Sequence, residues 1–414
     1  MTSRHVVATT VAPLCLVLAT GAWAAAGPAG PMSVSDLAAI NEAIEANGAQ
    51  WMAGETSVSR LPRDQRLMRL GAIREEVVEA EASEPSPLGL PNQWDWRDVG
   101  GNNFMTAVRD QGNCGSCVAF GVIGALEAGM KVSNDAPDWN PNLSEQHLFS
   151  CGGGGCKRGW YVSSALNYVR NSGVPNESCH FYMSGLFGRD RDCSLSCSDW
   201  ERKTLQVASW SYVSNNVESI KSAISESPVV TTMDIYQDFY AYTEGVYSHS
   251  WGNYSGGHCV TLVGWDESLD CWIARNSWGP HWGEAGYFRI AYGDSDIGSQ
   301  TARVTHYPTI RVFADAEQVP PGGGCEIGVN LVNTGSRHDG QVELWVEGKQ
   351  GGGQVYYAGA PTLEAGFEYH DASVVAFTDI PAQYIGEYTF YGAIRDRSGG
   401  ETHSFGEVAI EVRE

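Results

Sequence analysis

Cys117 is the residue of this chain whose surroundings most favour covalent chemistry. It stands where a helix is predicted to begin, and the apolar face of that helix would be formed by Ala119, Ile123, Leu126 and Met130. Unpaired N–H groups and the positive end of the helix dipole at such a position lower the pKa of a thiol and favour the nucleophilic thiolate. Spacing alone leaves two alternatives open for this cysteine: half of a disulfide, or a buried structural thiol.

A histidine and an asparagine further along the chain can complete a catalytic group. His258 follows a Gly-Gly pair, and Asn276 begins the motif Asn-Ser-Trp-Gly-Pro-His-Trp-Gly. An imidazole can take the proton of a thiol, and a side-chain amide can orient that imidazole. His249 and His281 lie near the same blocks, but neither follows a Gly-Gly pair, and histidines are often surface or satisfied core residues.

Three sequence blocks carry a resemblance to a known family. They are residues 111–120, which read Gln-Gly-Asn-Cys-Gly-Ser-Cys-Val-Ala-Phe, then Gly257-His258, then residues 275–283. In this order the blocks resemble the papain and cathepsin family of cysteine peptidases, in which the histidine follows the cysteine by about 130 to 150 residues. The resemblance implies an α+β fold, a papain-like two-lobed catalytic domain with a helical left lobe and a β-barrel-like right lobe. It also implies peptide-bond hydrolysis through an acyl-enzyme, without metal or cofactor.

The resemblance assigns a role to each candidate catalytic residue. Cys117 is the nucleophile, His258 is its base and later the acid, and Asn276 holds the ring of His258. Gln111 joins the backbone N–H of Cys117 in stabilising the oxyanion. Trp278 shields the hydrogen bond between His258 and Asn276 from water.

Substrate contacts follow from the same resemblance. Gly159 is expected to pair through its backbone with an extended substrate, Gly257 to line the cleft, and Val304 to form the floor of the pocket for the side chain that precedes the cleavage residue. The sequence departs from the family pattern twice. Val118 replaces an aromatic residue, which removes no chemical group, and Arg158 replaces a glycine, either as a solvated charge or as a contact for acidic substrate side chains.

The prosegment and the cysteine pattern are closest to cathepsin B-type enzymes. Residues 40–54 and 67–71 are similar to the short prosegment of that type, and residues 178–182 and 193–197 resemble its paired cysteine blocks. The implied bridges are Cys114–Cys156, Cys151–Cys193 and Cys179–Cys197. The interval between Cys179 and Cys193 is too short for a long histidine-bearing occluding loop, so endopeptidase activity is expected.

Three further cysteines are not assigned by the resemblance. Cys259 and Cys271 flank a predicted hairpin turn and can either form a cross-strand disulfide or remain buried thiols. Cys325 has no obvious partner in the C-terminal part of the chain.

Four segments are predicted along the chain. Residues 1–26 are predicted to be a secretory signal peptide, because a basic start leads into a short apolar run with an Ala-x-Ala cleavage pattern. Residues 27–90 are predicted to be an inhibitory prosegment, with one helix capped by Ser35 and Gly48, a second carrying Leu67, Leu70 and Val77, and then a cleavable linker. Residues 91–308 are predicted to form the peptidase domain. In residues 309–414 apolar and polar residues alternate between glycine-rich turns, which predicts an Ig-like β-sandwich.

Composition restricts the classes of partner. The net charge of -23 and the pI near 4.7 repel phosphate backbones and anionic lipid surfaces, so no nucleic acid partner is expected. The cysteine-rich composition and the signal peptide indicate an oxidising, secreted location, which can be extracellular, periplasmic or on the cell surface, and no membrane span is predicted. The expected partners of this predicted monomer are protein or peptide substrates and its own prosegment.

Two rival functions remain open at the level of sequence. A transpeptidase or ligase on the same fold would resolve the acyl-enzyme with an amine instead of water. A surface binding protein would act through its C-terminal domain and use the peptidase domain as a scaffold. The presence of Cys117, His258, Asn276 and Gln111 argues against the second of these.

Overall fold

Helices dominate the first half of the fold. The computed structural model describes residues 30–77, 89–198, 200–307 and, beyond them, the strands between positions 309 and 412. Within these ranges the α-helices are α1 Val34–Asn47, α2 Arg63–Leu67, α3 Cys117–Ser133, α4 Glu145–Gly152, α5 Val162–Asn171, α6 Ser184–Phe187 and α7 Val217–Glu226.

A large, mainly antiparallel sheet forms the second half. Its strands are β1 Gln50–Ala53, β2 Gln93–Asp95, β5 Val207–Tyr212, β6 Val229–Tyr236, β7 Tyr242–Tyr247, β8 Tyr254–Asp266, β9 Cys271–Arg275, β10 Tyr287–Ala291 and β11 Ala302–His306, while β3 Val174–Pro175 and β4 Thr204–Leu205 pair separately. The order in the large sheet is β1-β7-β10-β9-β8-β6-β11-β5, with β2 paired to β8. The fold is therefore α+β, as the sequence predicts.

Helix α3 packs directly against strand β8. Every residue of α3 from Cys117 to Lys131 is buried, which explains why its sequence is apolar around the whole circumference. A Cβ atom at Gly121 would lie 2.8 Å from Cys259 Sγ, so glycine is needed there for the helix to approach the strand. The hydroxyl of Thr261 in β8 donates to the carbonyl of Gly121 at 3.0 Å. This packing brings the start of α3 beside the start of the buried part of β8.

The N-terminal segment, residues 30–77, lies on the rest of the protein. Ser33, and not the predicted Ser35, caps α1 through a capping box with Asp36, and Gly48 ends the helix in the left-handed conformation with φ 64°. Strand β1 pairs antiparallel with β7 at the edge of the large sheet. Trp51 of β1 is buried, its ring 5.0 Å from that of Tyr247.

The predicted second helix of this segment is wrong in extent. Helix α2 ends at Leu67, so Leu70 and Val77 lie outside it. The reason is the competing backbone pairing of the following residues, because Gly71 N–H and Ala72 N–H both donate to the carbonyl of Gly257. The chain after α2 is therefore extended.

The strands beyond residue 308 pair into separate sheets. They are β12 Thr309–Ala314, β13 Gln318–Val319, β14 Cys325–Asn333, β15 His338–Gly348, β16 Gln354–Gly359, β17 Thr362–Leu363, β18 Phe367–Phe377, β19 Gly386–Asp396 and β20 Thr402–Val412. One sheet has the order β12-β14-β18, and the other has the order β13-β20-β19-β15-β16, with β17 on β15. Among all described helices, none combines the length and the apolar character that crossing a bilayer requires. The predicted signal peptide and most of the predicted linker lie outside the described residues.

Candidate active site

Cys117 is the first residue of α3 and is completely buried. The turn before it is held by the disulfide between Cys114 and Cys156 and by the hydrogen bond from Gly115 N–H to the carbonyl of Cys156 at 3.0 Å. Tyr182 braces the same turn, because its hydroxyl lies 2.7 Å from Ser116 Oγ. The thiol is thus presented by a rigid turn.

His258 and Asn276 are joined by a hydrogen bond. His258 lies in β8, Asn276 follows β9, and Nε2 of the histidine is 2.8 Å from Oδ1 of the asparagine. The ring of Trp278 lies 4.9 Å from the ring of His258, and all three side chains are buried. Nδ1 of His258 is buried and has no hydrogen-bond partner among the described residues, so it is available to a thiol.

The backbone of β8 connects the cysteine to the histidine. Cys259, the residue after His258, lies in the same buried cluster as Cys117, and its N–H group favours the thiolate form of that cysteine. The start of α3 packs on β8 beside His258. Cys117 therefore lies in the same site as His258 and Asn276.

Burial keeps the thiol and the imidazole uncharged. Desolvation raises the pKa of Cys117 to about 11, although neighbouring backbone N–H groups favour the thiolate. Desolvation also lowers the pKa of His258 to about 4, opposed by its hydrogen bond to Asn276. The expectation of a lowered pKa for Cys117 is therefore wrong for this form of the chain. The reason is that the helix dipole acts on a thiol that has been removed from water.

Gln111 lies in the same buried site. Its Nε2 donates to the carbonyl of Cys114 at 2.8 Å, and its Oε1 accepts from the hydroxyl of Ser277 at 2.7 Å. A side-chain amide carries two N–H hydrogens, so the bond to Cys114 leaves one for an oxyanion. Ser277 directly follows Asn276, which ties the amide of Gln111 to the loop that holds His258.

The N-terminal segment covers Cys117. The N–H groups of Gly71 and Ala72 donate to the carbonyl of Gly257, the residue before His258, and they favour the thiolate form of Cys117. Gly71 is packed against the carbonyl of Gly115, where an added Cβ would approach the oxygen to 2.1 Å. Arg69 anchors the segment on the other side with a 2.6 Å contact to Asp110. Access of a peptide to the thiol is therefore blocked.

The segment also shows which backbone groups line the cleft. Trp160 N–H donates to the carbonyl of Gly71 at 2.7 Å, and Ile73 N–H donates to the carbonyl of Trp160 at 2.9 Å. Gly159, predicted for this role, instead donates its N–H to Gly155 at 2.7 Å. Gly159 nevertheless lies against the segment, because an added Cβ there would lie 2.1 Å from the carbonyl oxygen of Gly71. On the opposite side, the carbonyl of Gly257 accepts from the N–H groups of Gly71 and Ala72.

One predicted substrate contact remains, the residue at the floor of the pocket. Val304 lies in β11 opposite Trp210 and packs against the cluster that contains Cys117. Near this strand Tyr212 and Gln300 hydrogen bond to Glu75 of the covering segment, and the sequence did not predict either contact. Their positions depend on pairing between distant strands, so no local motif could have identified them.

Six cysteines form the three bridges that the resemblance implies, with S–S distances of 2.07, 2.01 and 1.97 Å. Cys259 and Cys271 are buried free thiols. The strand register explains this, because Asp266 is the partner of Cys271 and Thr232 is the partner of Cys259. The cross-strand alternative therefore does not occur.

The remaining histidines have other surroundings. His249 stacks on Tyr236 with ring centroids 3.7 Å apart and contacts Asp238, while His281 is exposed.

One group of side chains has the composition of a metal site. In it, His147, Cys151 and His180 bring potential metal-ligand atoms within 4.8 Å of one another. Cys151 is bonded to Cys193 and cannot supply a thiolate, so this group does not fit a metal site.

Known proteins match the part of the chain that holds the site. A family model described as "Papain family cysteine protease" matches residues 90–308. Cathepsin B-like CP3 of Giardia intestinalis is 30% identical over 290 residues, which are 66% of this chain and 94% of that protein. Fruit bromelain of Ananas comosus is 32% identical over 288 residues, which are 68% of this chain and 75% of that protein.

Solved structures of precursor forms share the fold. Procathepsin B S9 from Trypanosoma congolense has a TM-score of 0.57 at 21% identity and covers 66% of this chain and 98% of that chain. The digestive procathepsin L2 proteinase of Tenebrio molitor has a TM-score of 0.56 at 24% identity and covers 66% of this chain and 89% of that chain. At these identities the likeness shows the fold alone.

Proposed function

Because this chain belongs to the papain family of cysteine proteases, we propose that it is a secreted endopeptidase made as an inactive precursor. Cys117 is the nucleophile, His258 its base and acid, and Asn276 the residue that orients His258. The observation that carries this proposal is the buried thiol at the start of α3, beside the hydrogen-bonded pair of His258 and Asn276 and beneath Gly71 and Ala72.

Removal of the covering segment starts the chemistry. Water and substrate then reach the cleft, the cost of charging both groups falls, and the thiol proton moves to Nδ1 of His258. The thiolate attacks the peptide carbonyl, and the oxyanion accepts hydrogen bonds from Cys117 N–H and from the free N–H of Gln111. His258 donates its proton to the leaving amine, and water then hydrolyses the acyl-enzyme.

The wider organisation follows from the same reading. Residues 1–26 direct secretion, residues 27–90 inhibit the enzyme until they are cleaved, and residues 91–308 carry the activity. The strands from β12 onward belong to an Ig-like β-sandwich in residues 309–414. Their pairing into two sheets, antiparallel except between β13 and β20, supports that assignment. Three disulfides support an oxidising destination.

The test is the substitution Cys117→Ala in the full chain. It should lower peptide hydrolysis by at least on the order of 10⁴-fold and prevent self-processing near residues 81–91, because no other group supplies the nucleophile. Cys271→Ala is the matched control, since it also removes a buried free thiol, and it should retain hydrolysis. Undiminished cleavage by Cys117→Ala contradicts the proposal, and aminolysis exceeding hydrolysis with an added amine would favour a ligase.

A further inference from the structure

The covering segment places a carboxylate in a second site beside the catalytic cleft. Glu75, three residues after Ala72, accepts a hydrogen bond from Ser163 N–H at 3.1 Å and one from Ser163 Oγ at 2.6 Å. The hydroxyl of Tyr212 donates to the same carboxylate at 2.6 Å. Three donors from two distant parts of the chain thus converge on one acidic side chain.

The donors belong to rigid elements of the peptidase domain. Ser163 is the second residue of the ten-residue helix α5, where unpaired N–H groups and the helix dipole favour an anion. Tyr212 ends β5 and pairs with Ala302 of β11, and only 8% of it is exposed. Both elements remain when the N-terminal segment leaves.

The same site also binds the backbone of the covering segment. Gln300, which is 3% exposed, donates a hydrogen bond from its side-chain amide to the carbonyl of Glu75. The hydroxyl of Thr232 contacts the other end of that amide at 3.4 Å. The site therefore recognises both a main-chain carbonyl and an acidic side chain of a peptide.

Departure of the segment removes the acceptor of a buried hydroxyl. Burial and the contact with Glu75 both raise the pKa of Tyr212, so its hydroxyl stays protonated and remains a donor. A buried donor without an acceptor is costly, and a hydrogen bond to a carboxylate is stronger than one to a neutral acceptor. A peptide that carries an acidic side chain at this position restores the lost bonds.

A basic residue of the covering segment, Arg74, makes weaker contacts than Glu75 does. Arg74 pairs with Asp234 at 3.0 Å and with Asp296, but Asp296 is 48% exposed and Arg74 is 35% exposed. Solvent-exposed ion pairs contribute little to binding. The donors around Glu75 are the buried Tyr212 and the half-buried Ser163, whereas Asp234 is 22% exposed and pairs with an arginine that is 35% exposed. We expect the three hydrogen bonds to Glu75 to decide the preference more strongly than these two aspartates.

We propose that Ser163 and Tyr212 form a subsite of the peptidase that selects substrates with a glutamate or aspartate two or three residues before the scissile bond. This rests on the proteolytic function proposed above. The subsite lies along β5 and β11, on the side of the cleft where the residue before the cleavage residue is expected. The net charge of -23 repels acidic peptides at long range, so the preference arises from short-range contacts.

The experiment compares peptides that differ only by Glu or Gln at each of these two positions. The full chain is activated by processing, and kcat/KM is measured at a salt concentration that screens the long-range repulsion. We expect the Glu peptide to be preferred by about 5-fold or more at one position. Tyr212→Phe and Ser163→Ala should each bring the ratio of Glu to Gln peptides closer to one.

Tyr292→Phe is the matched control, because the hydroxyl of Tyr292 is buried and its ring packs at 4.5 Å from the ring of Trp272, on another part of the sheet. It should leave the ratio unchanged. A ratio near one in the unaltered enzyme, or a ratio that both subsite variants leave unchanged, overturns the subsite while hydrolysis of the Gln peptide still supports the peptidase. Failure to cleave either peptide overturns the peptidase function and with it the subsite.

A second measurement does not depend on the folding of the variants. A synthetic peptide of residues 68–77 is tested as an inhibitor of the activated enzyme, with and without Glu75→Gln. We expect Glu75→Gln to weaken inhibition by about 5-fold or more, because the amide forms weaker hydrogen bonds with the same donors. Equal inhibition by the two peptides contradicts the subsite.

Discussion

At the scale of single residues, the main feature is an uncharged pair at the start of α3. Burial raises the pKa of Cys117 to about 11 and lowers the pKa of His258 to about 4. Neutral pH lies below the pKa of the thiol, so the thiol is protonated. It lies above the pKa of the imidazole, so the imidazole is neutral. The proposed mechanism requires a thiolate and an imidazolium, so these protonation states correspond to an inactive form.

This predicts a change in thiol reactivity on activation. In the intact chain, iodoacetamide should modify Cys117 slowly at neutral pH and faster only as the pH rises towards about 11. After the N-terminal segment is removed, modification should be fast at neutral pH, because the thiolate and the imidazolium stabilise each other. Mass spectrometry of the separated intact and processed chains measures both rates.

Cys271 serves as an internal control for this experiment. It is also a buried thiol whose pKa burial raises to about 11, but it lies in β9 opposite Asp266. Its modification should stay slow in both forms. Fast modification of Cys117 in the intact chain would show that the segment does not protect the thiol.

At the scale of elements, the residues from Leu70 to Ile73 are proposed to determine latency. Gly71 lies so close to Gly115 that a Cβ would come within 2.1 Å of its carbonyl oxygen. Backbone atoms cannot move away as a flexible side chain can, so any larger residue must displace the segment. The pairing of β1 with β7 would still hold the segment to the edge of the sheet.

Gly71→Ala is therefore expected to weaken inhibition without unfolding the peptidase domain. The rate at which processed chain appears should rise, because the clash lifts the segment from Cys117. Gly30→Ala is the matched control, since a Cβ there meets no atom within 4 Å, and its processing rate should equal that of the unaltered chain. A slower or equal rate for Gly71→Ala would contradict this role of the glycine.

At the scale of the whole molecule, the catalytic contacts come from the N-terminal segment and the peptidase domain. The described partners of Cys117, His258 and Gln111 lie between Arg69 and Trp278. The sheets formed by β12 to β20 contribute none of these contacts within the described part of the chain. The chain should therefore keep its catalytic activity when the C-terminal strands are removed.

A chain that ends at residue 308 tests this separation. Its kcat/KM for a short peptide, after activation, should stay within about 2-fold of the full chain, because distant sites act independently. The melting temperature of both chains must be measured, since loss of stabilising contacts could lower activity indirectly. Loss of peptide hydrolysis at an unchanged melting temperature would show that the tail takes part in catalysis.

The sequence alone was sufficient to predict the family, the α+β class and the candidate residues Cys117, His258 and Asn276. These rest on short motifs in which the chemistry demands particular side chains at particular places. The motif around Gly159 did not predict that the neighbouring Trp160 forms the hydrogen bonds with the covering segment, because that pairing depends on the conformation of the loop after Cys156.

Only the tertiary structure decided the charge of the catalytic pair, the end of α2, the free state of Cys259 and Cys271, and the convergence of Ser163 and Tyr212 on Glu75. Each of these depends on which distant segment covers or faces a residue. Burial changes a pKa, strand register determines which cysteines can meet, and pairing in the cleft overrides helix propensity after Leu67. Contacts between residues far apart in sequence leave no periodic pattern along the chain, so the structure was needed to reveal them.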